Sequence, residues 1–139
     1  MSKAEANEAL IRRYLDTVRS VKEGGDGRDV LRFYSPDITA VSTGRSPVAG
    51  TFSGRDFYEK WLPLWAGYDV TIGELKDVLA SDERVLLLIV EEYRHIATGE
   101  VLAVDRISYY EIEDDLITSM TVVDKDQYTA DAFWTRTQS

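Results

Sequence analysis

The stretch RVLLLIVEEYRHIATGEVLAVDRISYYEIEDDLITSMTVVD, residues 84–124, decides the fold. It reads as three long strands, Arg84 to His95, Glu100 to Ile112 and Leu116 to Asp124, rich in β-branched and aromatic residues. Ala97-Thr98-Gly99 and Glu113-Asp114-Asp115 join them, and connections this short force antiparallel hairpins. Upstream, Val70 and Ile72, then Leu75 and Leu79 after a phase slip near Gly73, predict a fourth long strand with a bulge, closed by a Ser81-Asp82-Glu83 turn. Val85 to Val90 is apolar at every position, so both faces of that strand should be covered.

The N-terminal half carries the helical signal. Leu10, Ile11, Tyr14, Leu15 and Val18 recur on one side of a helix that Gly24-Gly25 should stop. A short second helix is expected from about Arg28 to Tyr34, with Asp26 as its cap and Pro36 closing it. Ile38 to Ser42 and Val48 to Phe52 read as short strands around the turn residues 43–47. Ser53 then caps a third helix, in which Phe57, Trp61 and Trp65 share a face until Pro63 disturbs it. The segment Tyr128 to Trp134 is expected to add a last helical turn. The sum is an α+β fold, a curved antiparallel meander-like sheet wrapped around three helices as a cone with a central pocket, and a single domain over 1–139. Helices cover one face of the sheet only, so the other is expected to meet a second copy in a homodimer.

Bulk properties exclude several functions. A net charge of -9 argues against nucleic acid as a partner, because phosphate binding needs clustered Lys and Arg. With no cysteine and one histidine, thiol chemistry and Cys-based metal sites are out, and no metal or cofactor is expected. MSKAEANEAL lacks a secretion-signal core and the longest apolar run is too short for a bilayer, so no membrane partner and a cytoplasmic location are expected.

RRYLDTV, FYSPDITAVS, FSGRDFYEKW and the final YYEIEDDLITSMTVVD hairpin, in this order, resemble the nuclear transport factor two-like superfamily, which includes ketosteroid isomerase and the SnoaL-like cyclases. The resemblance spans nearly the whole chain and implies a pocket for a small hydrophobic molecule. It matches the isomerase's pocket tyrosine to Tyr14, an oxyanion donor, and its two catalytic carboxyl positions to Ser42 and Ser108. SnoaL-like cyclases also keep an acid at the Ser108 position, so neither acid-base pair transfers. The limonene epoxide hydrolase pattern, Arg-x-Asp with a later Asp, meets Ile89, Glu91 and Val122.

If Ser108 faces the pocket, alternation turns Leu102, Val104, Arg106, Tyr110 and Ile112 the same way, with Thr118, Met120, Val122 and Asp124 on the last strand. An inward Arg106 then needs a carboxylate, from Asp124, Glu91 or a ligand. A slip of one residue would put Asp105 inside instead. Glu91, Tyr93 and His95 share one parity and are taken as the inward set. His95 is the one side chain expected to titrate near neutrality unaided. Trp61, Trp65 and Tyr110 would wall a ring-bearing ligand, or simply fill the core.

These readings predict a cofactor-free acid-base enzyme on a hydrophobic oxygenated molecule, of isomerase, cyclase or dehydratase type, as in polyketide or terpenoid biosynthesis. Its catalytic candidates are Tyr14, His95, Arg106, Asp124 and Glu91. Trp61, Trp65, Tyr110, Ser42, Ser108, Met120 and Val122 are the substrate-binding candidates. Epoxide opening by water on Glu91 and Asp124, or a non-catalytic binding module, are the alternatives.

Overall fold

The structure is a computed structural model that describes residues 1–22, 24–25 and 27–138. Six strands form one open sheet in the order β2-β1-β6-β5-β4-β3. They are β1 (Tyr34–Ser42), β2 (Gly50–Ser53), β3 (Tyr68–Ala80), β4 (Arg84–His95), β5 (Val101–Glu113) and β6 (Leu116–Asp124). The long hairpins lie where the sequence predicts them. Asp114 and Asp115, at φ 52° and 60°, make the two-residue β5–β6 turn, a geometry whose twist suits a hairpin. Pairing is antiparallel throughout except between β1 and β6, which run parallel.

The expected slip in β3 is present, with register shifts between Ile72 and Leu75 and between Leu75 and Asp77. A Cβ on Gly73 would stand 2.9 Å from the Val90 carbonyl oxygen, so the close approach of β4 admits only glycine there.

Helix α1 (Lys3–Lys22) lays Leu10, Ile11, Tyr14 and Leu15 against the concave face, over β3 and β4. Asn7 Nδ2 donates to the Ser81 carbonyl at 3.0 Å and ties the helix to the β3–β4 turn. Gly24, at φ 95°, follows the helix as expected.

Three local expectations change. Helix α2 is only Arg28–Leu31, and its expected cap, Asp26, lies outside the described residues. Tyr34 opens β1 rather than ending a helix, and Pro36 sits inside that strand, because proline drives the preceding residue toward extended backbone. Its missing N–H is tolerated where the β1–β6 register shifts, between Tyr34 and Thr39. Ser53 is no helix cap: it ends β2, and its hydroxyl meets Thr39 Oγ1 at 3.0 Å. The third helix instead starts at Phe57 as a π-helical turn, Phe57–Trp61, and passes into a 3-10 turn, Leu62–Trp65, at Pro63.

The C-terminal segment is longer than predicted, forming α3 (Gln127–Thr137). Asp126 caps it by accepting from the Thr129 N–H at 3.1 Å. Ala130, Phe133 and Trp134 bury one side, and Tyr68 and Thr137 join hydroxyls at 2.7 Å.

Two hydrophobic clusters result. One gathers α1, β1 and the sheet centre around Ile11, Ile38, Leu87, Ile89 and Ile117. The other packs α3 against Val48, Tyr68, Tyr93, Leu102 and Val104. On the convex face Leu86, Leu88 and Val90 are half-buried and Leu79 and Val123 exposed, so within one chain that face has no covering layer.

Leu87 is fully buried and Leu79 is 56% exposed. Leu87→Ala should lower unfolding free energy by about 2–5 kcal/mol in urea titration, whereas Leu79→Ala should change it by under about 0.5 kcal/mol.

Candidate active site

Between the two clusters the cone holds a cavity of about 650 Å³, within the range of small-molecule sites. Alternation along β4 and β5 brings Glu91, Tyr93, Arg106, Ser108 and Tyr110 to the concave face. The predicted register is therefore the observed one. Asp105 faces outward, where its carboxylate meets Lys76 at 3.0 Å and Lys125 at 3.4 Å.

Arg106 is 6% exposed, which demands partners for its charge. The register places Asp124 directly across from it on β6. Its Nε donates to Asp124 Oδ1 at 2.7 Å and Nη2 to Oδ2 at 3.2 Å, a two-pronged pair. On the other side Nη1 donates to Glu91 Oε2 at 2.6 Å and also to the Tyr93 hydroxyl. Tyr93 in turn donates to Glu91 Oε2 at 2.8 Å. Both hydrogen bonds to Glu91 thus fall on one oxygen, while Arg106 engages both oxygens of Asp124. Burial works against the Arg106 charge, but Tyr93, Glu91 and Asp124 outweigh it and hold the guanidinium firmly protonated.

Phenols line the cavity on the side of α1. Tyr14 and Tyr34 share a hydrogen bond at 2.9 Å, and Tyr14 also reaches Met120 Sδ at 3.8 Å. The Tyr14 hydroxyl is therefore satisfied locally while its residue still lines the cavity. Burial raises the pKa of Tyr14, Tyr34, Tyr93 and Tyr110. Tyr34 is pushed up to about 12, burial outweighing the Tyr14 hydrogen bond that lowers it. In Tyr93 the rise by burial also exceeds the opposing pull of Arg106. All four are neutral donors at physiological pH.

Trp61, Trp65, Tyr68 and Trp134 supply aromatic wall. Trp134 stands edge-on to Tyr93 and Trp65, with centroids 5.0 and 5.2 Å apart. The indole N–H groups of Trp61 and Trp65 are buried without a hydrogen-bond partner, a desolvation cost carried by the irregular Phe57–Trp65 segment.

Of the predicted site residues, the cavity gathers Tyr14, Glu91, Arg106, Asp124, Ser42, Ser108, Trp61, Trp65, Tyr110, Met120 and Val122. His95 is the exception: it ends β4, its ring lying 5.2 Å from that of Tyr68 and its Nδ1 2.9 Å from Thr98 Oγ1, and it does not line the cavity. Thr118 is also turned away, because the register shift beside Ile112 sends Ile117 inward in its place. Tyr93, placed in the inward set by parity, does line the cavity, whereas sequence reasoning passed over Tyr34 and Trp134. Tyr34 was hidden in the expected helix, and no periodicity marked Trp134. Among the described residues no group of His, Cys, Asp or Glu is arranged for a metal ion.

The SnoaL-like domain family matches residues 11–120, and the chain belongs to that family. No curated protein sequence matches it. Among solved structures, Bal32a from a soil-derived mobile gene cassette is 22% identical, with 96% of this chain and 99% of that one covered and a TM-score of 0.78. An NTF2-like protein of Burkholderia xenovorans LB400 is 21% identical over 95% and 97%, at a TM-score of 0.72. TerC, co-crystallised with polyporic acid, is 15% identical over 91% and 98%, at 0.67. At these identities the likeness shows the nuclear transport factor two-like cone. Among the described residues no helix is long and apolar enough to cross a membrane.

The neutral phenols carry a pH signature. A folded-state pKa above the unfolded value of about 10 gives stability that is complete below that pH and is lost as pH climbs through the folded value. For Tyr34 that window runs up to about 12. Alkaline titration should show phenolate absorbance from part of the eight tyrosines before Tyr14, Tyr34, Tyr93 and Tyr110, whose ionisation should accompany loss of tertiary structure. One uniform tyrosine transition with the fold intact would contradict the packing.

Proposed function

We propose that this member of the SnoaL-like family is a one-domain, cofactor-free enzyme that moves a proton on a hydrophobic, oxygenated small molecule, isomerising, cyclising or dehydrating it. The observation that carries this reading is the buried Glu91–Arg106–Asp124 triad opening on an aromatic-walled cavity. Glu91 is the proton acceptor, because Arg106 and Tyr93 hold one of its oxygens while the other has no hydrogen bond among the described residues. Asp124, gripped through both oxygens, orients Arg106. Tyr14, a neutral phenol in an apolar wall, is the donor for a developing oxyanion, with Tyr34 as its relay. His95 has no part, since it stands outside the cavity. A molecule related to polyketides or terpenoids fits the wall of Trp61, Trp65 and Tyr110, and the co-crystal of TerC with polyporic acid supports an oxygenated ligand.

One observation favours epoxide opening as a second reading. Where the epoxide hydrolase pattern has arginine, this chain has Ile89, but Arg106 is its cross-strand partner and brings a guanidinium to the same neighbourhood. Asp124 likewise lies two residues beyond Val122 on the same strand and also lines the cavity. Glu91 would take a proton from water, whose oxygen attacks a ring carbon as Tyr14 protonates the opening oxygen. A non-catalytic module expects a filled pocket without ionisable groups, and the open cavity with its triad runs against that.

Turnover tests the reading directly. Aryl β-diketones, enones and aryl epoxides incubated in deuterated water should show, by mass spectrometry, carbon-bound deuterium or loss of water, with gain of water pointing to the second reading. Glu91→Gln should slow the active reaction by about 10²–10⁴-fold with an unchanged circular dichroism spectrum. Unchanged substrates throughout, or equal rates in the variant, would sink the proposal.

The uncovered convex row of Leu79, Leu86, Leu88 and Val90 supports a homodimer through the sheet. Light scattering should give twice the chain mass of 15.8 kDa, and Leu88→Arg should give the monomer. The absence of cysteine supports a reducing, cytoplasmic setting.

A further inference from the structure

The charges that face the cavity do not balance. Among the described residues they are Asp69, Glu91, Asp124 and Arg106. Asp69 is ion-paired with Arg94 on the neighbouring strand, which removes its charge from the account. What remains is two carboxylates around one guanidinium, a formal charge of -1, with side chains only 7–11% exposed. Buried, uncompensated charge is costly, and the low dielectric that makes it so also lengthens its reach into the cavity.

Arg106 has little left to offer an anion. A guanidinium has five N–H donors, and the contacts to Asp124, Glu91 and Tyr93 use four of them. Among the described residues no lysine lines the cavity. The rest of the described wall is uncharged, aliphatic side chains such as Leu15, Val18 and Ile72 alternating with the rings of Trp61, Trp65, Tyr93 and Trp134. Tyr93 already presents its ring to a cation, with the Arg106 carbon 5.2 Å from the ring centroid. Indole and phenol faces around excess negative charge attract ammonium groups, because the ring quadrupole and the carboxylates pull in the same direction.

We propose that the natural ligand of this cavity carries a positive charge, as an aromatic or polycyclic amine bound in its protonated form. The ammonium group sits beside Glu91, and the apolar body lies against Trp61, Trp65 and Trp134. This inference rests on the cavity being a small-molecule site, but it does not require turnover. It narrows the oxygenated substrate proposed above to one that also bears a basic nitrogen.

Three probes of the same shape separate charge from shape: 2-naphthylmethylamine, 2-naphthalenemethanol and 2-naphthoate. Calorimetric titration at neutral pH should rank ammonium over alcohol by at least about tenfold, with the carboxylate weakest. Glu91→Gln brings the triad to zero net charge and should remove the preference while alcohol binding persists. Asp124→Asn makes the same charge change if the first variant fails to fold. Equal binding of amine and alcohol, or tightest binding of the carboxylate, would overturn the charge inference and leave the pocket as a neutral small-molecule site. Binding by none of the three would overturn the pocket reading together with it.

Discussion

A guanidinium buried between two carboxylates is the constraint around which the rest of this molecule is arranged. Removing one partner from such a group leaves a bare charge in a low dielectric, at a cost of several kcal/mol. The register of β4, β5 and β6 is therefore bound to the triad: Asp124 must stand opposite Arg106, and Glu91 must share the concave face. A slip of one residue would turn Arg106 outward and expose the alternating apolar set of β5. Register, packing and the polar site stand or fall together.

The same triad explains why the core is split. Apolar side chains offer these ions no hydrogen bonds, and the hydrophobic clusters lie to either side of the triad. One is held by α1 and the other by α3. The cavity is the gap between them. Its ionisable groups come from strands whose neighbours fix them in place, which is the rigid support a preorganised site needs. The Phe57–Trp65 segment differs, with two helix types in nine residues and two buried indole donors unpartnered. Its short turns and unmet donors make it the least satisfied wall of the site.

Much of this is legible in the amino-acid sequence. Strand alternation and short connections gave the hairpins, and parity along β4 and β5 put Glu91, Arg106, Ser108 and Tyr110 inside. The failures cluster where local and tertiary preferences compete. Tyr34 reads as helical by position, yet Pro36 and the partner strand β6 draw it into β1, where its hydroxyl meets Tyr14. His95 shares the parity of Glu91 but lies too near the hairpin end to reach the cavity. Thr118 was lost to a bulge, since one extra residue reverses the facing of what precedes it.

The sequence by itself determined the α+β class, the meander, the bulge at Gly73 and the inward set of β5, because these rest on spacing between residues near one another in the chain. It also limited the chemistry, with a single histidine and no thiol. Only the tertiary structure decided that Glu91, Arg106 and Asp124 form one network, that β1 runs parallel to β6, and that α3 closes the cone with Trp134. Those facts join residues distant in sequence, and their energies depend on burial and angle. Neither is written in local pattern.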